Sequence, residues 1–376
     1  MTGAVRRDAA TLERARALAP LVDGQRIRVA RELLGLTQRG LAEAMAGSVT
    51  AAAVSQFEKE DAKPSAVTLV GLAVATGMPV EFFAHDPVIG DVGQAGGFFR
   101  SLRSTTVRDR RRHRALAEMV RLVTVALERH VRLPDLDVPR LAVAPDADRE
   151  TVEEAAAAVR AAWALGDGPV NHAVRSVERH GVVVSRVTID AKDVDAFSVP
   201  FADRPVVVLG ADKDRADRSR WDCCHELGHL VMHLPDPRRS QYLEDQANWF
   251  AAEFLLPATS VRDLLPSSAD WKQLADLKVT WGVSMTALLQ RAKTLGVLHE
   301  SAYVQALKTM STRGWNRREP VRLAAIESPA LLGRAMEAAE RVGVTVESLS
   351  AETGVPRPLL ELIIGAGVDP KPSVAI

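Results

Sequence analysis

The sequence has little cysteine and no long apolar run. Its two cysteines, Cys223 and Cys224, are neighbours in the chain. Adjacent cysteines are poorly placed to bridge each other, which excludes a disulfide framework. No run of about 18 apolar residues is present, so we expect no membrane-spanning helix. Residues 1–20 also contain no apolar segment typical of a secretory signal. These absences predict a cytoplasmic protein without a membrane partner.

The sequence also lacks an excess of charge of either sign. Its 48 Lys and Arg residues balance 48 Asp and Glu residues. This balance excludes a uniformly basic nucleic-acid coat, although it allows a local basic patch. The length of 376 residues corresponds to two or three domains at about 100–200 residues each.

Helical periodicity dominates the chain, and strand patterns occupy one short region. Apolar residues at helical spacing predict several short helices near the N-terminus. Runs of Val and Phe predict three strands in the middle. The predicted elements are four or five short helices over 26–84, a linker over 85–97, a long helix over 107–131, two helices over 151–180, strands at 182–184, 197–201 and 206–209, helices at about 216–233 and 241–255, and a helical remainder to about 365.

The most informative motif is His225-Glu226-Leu227-Gly228-His229. Histidines four residues apart lie on one face of a helix and can bind one metal ion. Glu226 is rotated by about 100° from His225, at 3.6 residues per turn. It therefore lies outside the ligand set but can take a proton from a water beside the ion. This arrangement is typical of zinc hydrolases and predicts Zn²⁺ as the cofactor. The alternative is an amphipathic helix whose histidines are buried without a metal.

A catalytic zinc needs a third protein ligand, and Glu244 is the candidate. It lies fifteen residues after His229 and opens a second apolar helix. Asn248 follows one turn later, where it is expected to hydrogen-bond a ligand. His233 continues the four-residue spacing but is too far along a straight helix to share the ion. We expect it to pack in the interior or face substrate.

Four other residues near the motif are not assigned as ligands. Cys223 and Cys224 lie off the face shared by the histidines, and we expect them to be small buried residues. Asp245 and Glu253 are expected to be solvated.

At residues 218–229 and 244–257 the chain resembles the ImmA/IrrE family of metallo-endopeptidases, and the resemblance spans about 170–260. The resemblance implies that His225, His229 and Glu244 are zinc ligands and that Glu226 is the general base. It also implies a protein substrate, namely a transcriptional repressor. Gln246 stands where the family commonly has a second Glu. The strand at 206–209 is expected to form a sheet edge beside the site, to which an extended substrate adds.

Residues 26–83 resemble the Xre-type helix-turn-helix domain, on motifs such as Leu36-Thr37-Gln38 and Val54-Ser55-Gln56-Phe57-Glu58. The resemblance implies a recognition helix over 50–59 and double-stranded operator DNA as a partner. Alanines at 51–53 offer bases only methyl contacts, so a protein-interaction module remains the alternative. The predicted DNA contacts are Gln38, Thr50, Ser55, Gln56, Lys59, Arg100 and Arg103.

Residues 100–114 contain seven Arg and one Asp. This Arg cluster is expected either to contact DNA phosphates, to bind an acidic effector, or to form a solvated basic face. The sequence leaves these alternatives open.

Together these features predict a mainly α fold with a small α+β zincin-like domain. It comprises an N-terminal five-helix helix-turn-helix domain, a central peptidase domain with a small β-sheet, and a C-terminal helical region. The predicted divisions are 20–84 for the helix-turn-helix domain, 85–150 for the linker and long helix with the Arg cluster, 151–260 for the peptidase domain, and 261–376 for the helical extension.

The predicted function is a transcriptional regulator with a zinc-dependent endopeptidase that cleaves a partner protein. The alternative is a ligand- or stress-sensing transcription factor whose zinc site is regulatory and has little proteolytic activity. A homodimer is compatible with the sequence.

Overall fold

The computed structural model describes residues 9–84, 98–99, 106–187, 195–211, 215–233, 241–323 and 325–365. Its N-terminal part consists of short helices, as the periodicity predicts. Thr37, Thr50 and Ser65 each begin a helix by accepting a backbone N–H with the side-chain hydroxyl, which satisfies a free helix donor. The elements are α1 (Ala9–Leu18), α2 (Gly24–Leu33), α3 (Gln38–Ala44), α4 (Ala51–Glu58) and α5 (Ala66–Thr76), with 3₁₀ turns at Ala19–Leu21 and Val80–Ala84.

A two-residue strand and a long helix come next in the described chain. The helix begins at a capping box formed by Thr106 and Asp109, which fixes its start. The elements from here to the middle of the chain are β1 (Phe98–Phe99), α6 (Val107–Glu128), α7 (Arg149–Ala162), α8 (Ala173–Arg179), β2 (Val183–Val187), β3 (Ala196–Val199), β4 (Val206–Gly210), α9 (Ala216–Met232) and α10 (Gln241–Leu255).

The C-terminal part is helical, as predicted. Its elements are α11 (Ala258–Val261), a 3₁₀ turn at Arg262–Leu264, α12 (Trp271–Trp281), α13 (Met285–Thr294), α14 (Glu300–Thr312), α15 (Leu331–Glu340), α16 (Val346–Thr353) and α17 (Arg357–Ile364). No helix in the described part of the chain is long and apolar enough to cross a membrane.

The sheet has four strands in the order β1-β3-β4-β2. β4 pairs parallel with β2 and antiparallel with β3. The prediction that the strand at 206–209 forms a sheet edge is therefore wrong, because β4 has a neighbour on both sides. The outer edge of β3 carries β1, with Phe98 opposite Ser198. The sequence pattern did not predict β1, since two residues are too short to show a period.

Two hydrophobic clusters are formed by the described residues, and the sheet separates them. Side chains alternate along β2, so Val183 and Val187 face one cluster while Val184 faces the other. The first cluster joins α1 to α6, one face of the sheet and α15 to α17. The second joins α7 to α10, the other face and α12 to α14. The region after residue 260 therefore divides between the two clusters.

The buried guanidinium of Arg26 links the N-terminal helices to the C-terminal helix α16. Arg26 is fully buried, and its Nη1 donates to the carbonyl oxygen of Phe82 at 2.9 Å and to that of Thr353 at 3.0 Å. The second bond ties α2 to the end of α16. The fold is thus mainly α with a small sheet, as the sequence predicts.

Candidate metal centre and DNA-binding surface

The metal motif lies on α9, and the predicted third ligand lies on α10. The two helices come close at Gly228, where an added Cβ would lie 3.0 Å from Cδ1 of Phe250 and 3.1 Å from its Cβ. A glycine at this point of the motif therefore lets α10 approach α9. This approach brings Glu244 to the histidines.

His225, His229 and Glu244 meet in one buried cluster that could hold a metal ion. The two Nε2 atoms are 3.2 Å apart, and carboxylate oxygens of Glu244 lie 3.3 Å from Nε2 of His225 and 3.5 Å from that of His229. Zinc bonds of about 2.0–2.1 Å in a tetrahedron place neighbouring ligand atoms about 3.3–3.4 Å apart. Oε2 of Glu244 is the oxygen near His225 and Oε1 the oxygen near His229, so both contacts and the spacing of the two Nε2 atoms are close to the ligand spacing of a zinc site.

The charge of the cluster also suits a cation. Burial raises the pKa of Glu244, but the neighbouring His225 and His229 outweigh this effect and lower the pKa to about 2. The carboxyl group is therefore ionised at neutral pH, as a metal ligand must be.

Asn248 orients His225. Its Nδ2 donates to the carbonyl oxygen of Glu244 at 2.8 Å, which turns Oδ1 toward Nδ1 of His225 at 3.2 Å. An amide oxygen can only accept a hydrogen bond, so Nδ1 of His225 is the donor. The Nε2 atom of a neutral His225 then carries a lone pair that faces the cluster, as a metal ligand requires.

Glu226 follows His225 on α9 and is fully buried, but it is not one of the three members of the cluster. Its Oε2 accepts a hydrogen bond of 2.6 Å from the hydroxyl of Ser198 on β3. The sequence pattern did not identify Ser198, because strand order decides which strand lies against the motif helix.

His233 also lies outside the cluster of three, yet it contacts a member of it. Helix α9 ends at Met232 and His233 is extended, which turns its Nδ1 to within 2.8 Å of Nδ1 of His229. Burial lowers the pKa of His233 to about 4, so the ring is neutral at pH 7. Gln246 contacts the far side of the ring at 3.0 Å. The straight-helix argument did not predict these contacts.

Both cysteines are buried, as expected. Burial raises the pKa of Cys224 to about 12 and that of Cys223 well above its usual range. Both are therefore thiols at neutral pH, whereas metal binding needs the thiolate. Asp245 lies partly exposed and accepts from Gln241. The expectation that Glu253 is solvated is wrong, because it is buried and bonded to Arg291.

The predicted recognition helix is α4, which begins with three alanines, of which Ala52 is exposed. Thr50, Gln56 and Lys59 are exposed, while Ser55 is partly buried. Gln38 is already engaged, since its Nε2 donates to Glu58 at 2.8 Å. Arg100 and Arg103 lie outside the described residues.

The second half of the Arg cluster lies against the helix-turn-helix region. Arg112 donates to the carbonyl oxygen of Leu33 at 3.2 Å, and Arg114 pairs with Glu118. Arg111 is exposed and lines the same cleft as the first residues of α3 and α4. The cleft has a volume of about 470 Å³ and is lined by Arg31, Glu32, Thr37, Gln38, Arg39, Ala51 and Arg111.

Comparison with protein families matches two parts of the chain. Residues 27–83 match the helix-turn-helix family model, and residues 177–293 match the model for the IrrE N-terminal-like domain of the M78 peptidases. The chain joins a helix-turn-helix domain to an IrrE-like peptidase-family domain. Both resemblances expected from the sequence are thereby confirmed. A search of curated proteins found no significant match.

The first and last residues of each matched range can be placed on the helices and turns of the structure. The IrrE-like match begins in α8 and ends in α13, so it contains α9 and α10 with the whole candidate metal centre. It extends past residue 260 into helices of the second hydrophobic cluster. The helix-turn-helix match begins in α2 and ends in the 3₁₀ turn after α5.

Proposed function

We propose that this protein is a DNA-bound regulator whose IrrE-like domain is a zinc-dependent endopeptidase. Its substrate is a partner protein and, by family resemblance, a transcriptional repressor. The observation that carries the proposal is the buried cluster of His225, His229 and Glu244, together with the fully buried Glu226 that follows His225 in the same helix. Cleavage would inactivate the repressor and thereby change the expression of the genes that it controls.

The cluster offers two imidazoles and one carboxylate, which is a common ligand set for a catalytic zinc with an open fourth position. A zinc ion bound there would supply a Lewis acid and lower the pKa of a water to about 7. Asn248 would hold His225 in the tautomer that this role requires, through the contact of 3.2 Å.

Glu226 would act as general base and then as general acid. Its buried carboxylate would take a proton from the attacking water and deliver it to the leaving amine of the cleaved peptide. The hydroxyl of Ser198, which donates to Oε2 of Glu226 at 2.6 Å, would keep the carboxylate in one orientation. Ser198 would thus be a positioning residue.

An extended peptide often binds by pairing with a strand beside the active site. In this sheet the strand that contacts Glu226 is β3, through Ser198. Its outer edge carries β1 in this structure. A substrate that pairs with β3 would therefore take the place of Phe98 and Phe99.

The helix-turn-helix domain would bind operator DNA through α4. Gln56 on this helix and Thr50 and Lys59 at its two ends are exposed polar side chains that would contact DNA, whereas Gln38 would first have to leave Glu58. Exposed Arg111 would contact a phosphate beside this surface. In a homodimer, two such helices would read the two halves of a palindromic operator.

The test compares the wild type with Glu226→Gln and Glu244→Gln. Each full-length protein is assayed for bound zinc and for cleavage of candidate repressors from the same genome. We expect Glu226→Gln to keep zinc and lose cleavage, and Glu244→Gln to lose both. Equal cleavage by wild type and Glu226→Gln would refute the peptidase proposal. Bound zinc with no cleavage by the wild type would favour a regulatory metal site.

A further inference from the structure

A line of three buried side chains ends at the candidate metal centre. His229, His233 and Gln246 are each no more than 4% exposed. The Nδ1 atoms of the two histidines are 2.8 Å apart, and Nε2 of His233 lies 3.0 Å from Oε1 of Gln246. Buried polar contacts of this length are hydrogen bonds, and each must have one donor and one acceptor.

The backbone fixes the orientation of the Gln246 amide. Its Nε2 lies 2.8 Å from the carbonyl oxygen of Ala144, with those of Ala147 at 3.3 Å and Pro145 at 3.4 Å. Carbonyl oxygens only accept hydrogen bonds, so the amide nitrogen must face them. The amide oxygen therefore faces His233.

This orientation fixes the direction of both bonds in the line. An amide oxygen accepts, so Nε2 of His233 is the donor in the contact with Gln246, and an imidazole that carries one hydrogen then accepts at Nδ1. Nδ1 of His229 must then be the donor in the contact of 2.8 Å. In a neutral His229 this leaves a lone pair on Nε2. This atom lies 3.2 Å from Nε2 of His225, which also carries a lone pair, so the contact suits a shared metal ion and not a hydrogen bond.

We propose that Gln246 and His233 are positioning residues that hold His229 in the tautomer able to bind a metal through Nε2. The inference rests on the proposed metal centre and deepens it. Neither residue touches the metal in this scheme. Each acts by fixing the hydrogen of the next ring in the line, from backbone carbonyl oxygens to the ligand. Partners of this kind typically change metal affinity by about 10–100-fold.

The first experiment measures zinc affinity of the full-length protein by competition with a chromophoric chelator. We expect His233→Phe and Gln246→Leu to weaken zinc binding by about 10–100-fold. His113→Phe is the matched control, because His113 is also a buried histidine but stacks on Phe197. Its zinc affinity should equal that of the wild type. Unchanged affinity in His233→Phe and Gln246→Leu would overturn the proposal.

The second experiment reads the tautomer directly. Long-range ¹H–¹⁵N correlation spectra of the histidine-labelled, metal-free wild type should show His229 with its hydrogen on Nδ1. Hydrogen on Nε2 of His229 would overturn the proposal, including where the variants fail to fold. A wild type that binds no zinc but shows the Nδ1 form would refute the metal centre and leave the line of hydrogen bonds supported.

Discussion

The hydroxyl of Ser198 lies 2.6 Å from Oε2 of Glu226, and both side chains are fully buried. Ser198 lies on β3 and Glu226 on α9, so this bond connects the sheet to the metal motif. A buried hydrogen bond to a charged group contributes about 1.5–3 kcal/mol. The orientation of the candidate general base therefore depends on the sheet.

Replacing Ser198 by alanine should lower the rate of peptide cleavage by about 10- to 100-fold, which corresponds to the loss of one such bond. Bound zinc should stay unchanged, because Ser198 is not in the ligand cluster. Ser185→Ala is the matched control, since Ser185 is also buried in the sheet but donates to the carbonyl oxygen of Ile363. A Ser198→Ala protein that cleaves at the wild-type rate would argue against the positioning role.

Gly228→Ala should weaken zinc binding. Alanine in a helix is usually about 1 kcal/mol more favourable than glycine, but here its Cβ would lie 3.0 Å from Cδ1 of Phe250. The contact pushes α10 from α9 and with it Glu244 from the histidines. Chelator competition measures the affinity. Adding Phe250→Leu to Gly228→Ala should restore part of the zinc affinity. If Gly228→Ala alone binds zinc as tightly as the wild type, α9 and α10 can accommodate the methyl group without moving Glu244.

DNA binding should depend on the cleft between the helix-turn-helix domain and α6. Arg39 and Arg111 are exposed residues that line it. If each contacts one phosphate, each alanine variant should bind operator DNA more weakly. It should also reduce the slope of log affinity against log salt by about 1. Arg132→Ala is the control, because Arg132 is exposed elsewhere and pairs with Asp135. Fluorescence polarisation over a salt series would measure both effects, and identical slopes for all variants would contradict the assignment.

Stability should fall as pH rises because of Glu178. Its carboxyl group accepts the backbone N–H of Ala330 at 3.0 Å and that of Leu331 at 2.9 Å, at the start of α15. Burial raises its pKa to about 7 from the usual 4.5. A raised pKa stabilises the folded state below pH 4.5, and this contribution of about 3 kcal/mol is lost as pH rises to 7.

The Tm of the wild type should therefore be higher at pH 5 than at pH 8, and Glu178→Gln should show a smaller difference. Glu337→Gln provides the comparison, since Glu337 is exposed on α15, the helix whose start bonds to Glu178. If Glu178→Gln and the wild type respond equally to pH, the titration of Glu178 does not contribute.

The sequence was most informative where function depends on spacing along one helix. His225 and His229 lie together because four residues make about one turn, and Glu244 could be anticipated because zinc needs a third ligand. The short helices were also predictable, since residues such as Thr50 and Ser65 mark their first turns.

The features that the sequence did not predict depend on how helices and strands pack against one another. The prediction of an edge strand at 206–209 failed because strand order, and not strand composition, decides which strands lie outside. Ser198 gave no signal, since serine is common and its partner Glu226 is 28 residues away. The contact of His233 with His229 arises because α9 ends at Met232, whereas periodicity assumes a helix that continues.

Arg26 has a consequence for any shortened form of this protein. A polypeptide that stops before α16 would leave this guanidinium without the carbonyl oxygen of Thr353 and would uncover the apolar side chains that α16 and α17 bury. A buried cation deprived of a partner is costly. Termination of the chain between α15 and α16 should therefore yield an aggregation-prone product, and not a smaller folded protein.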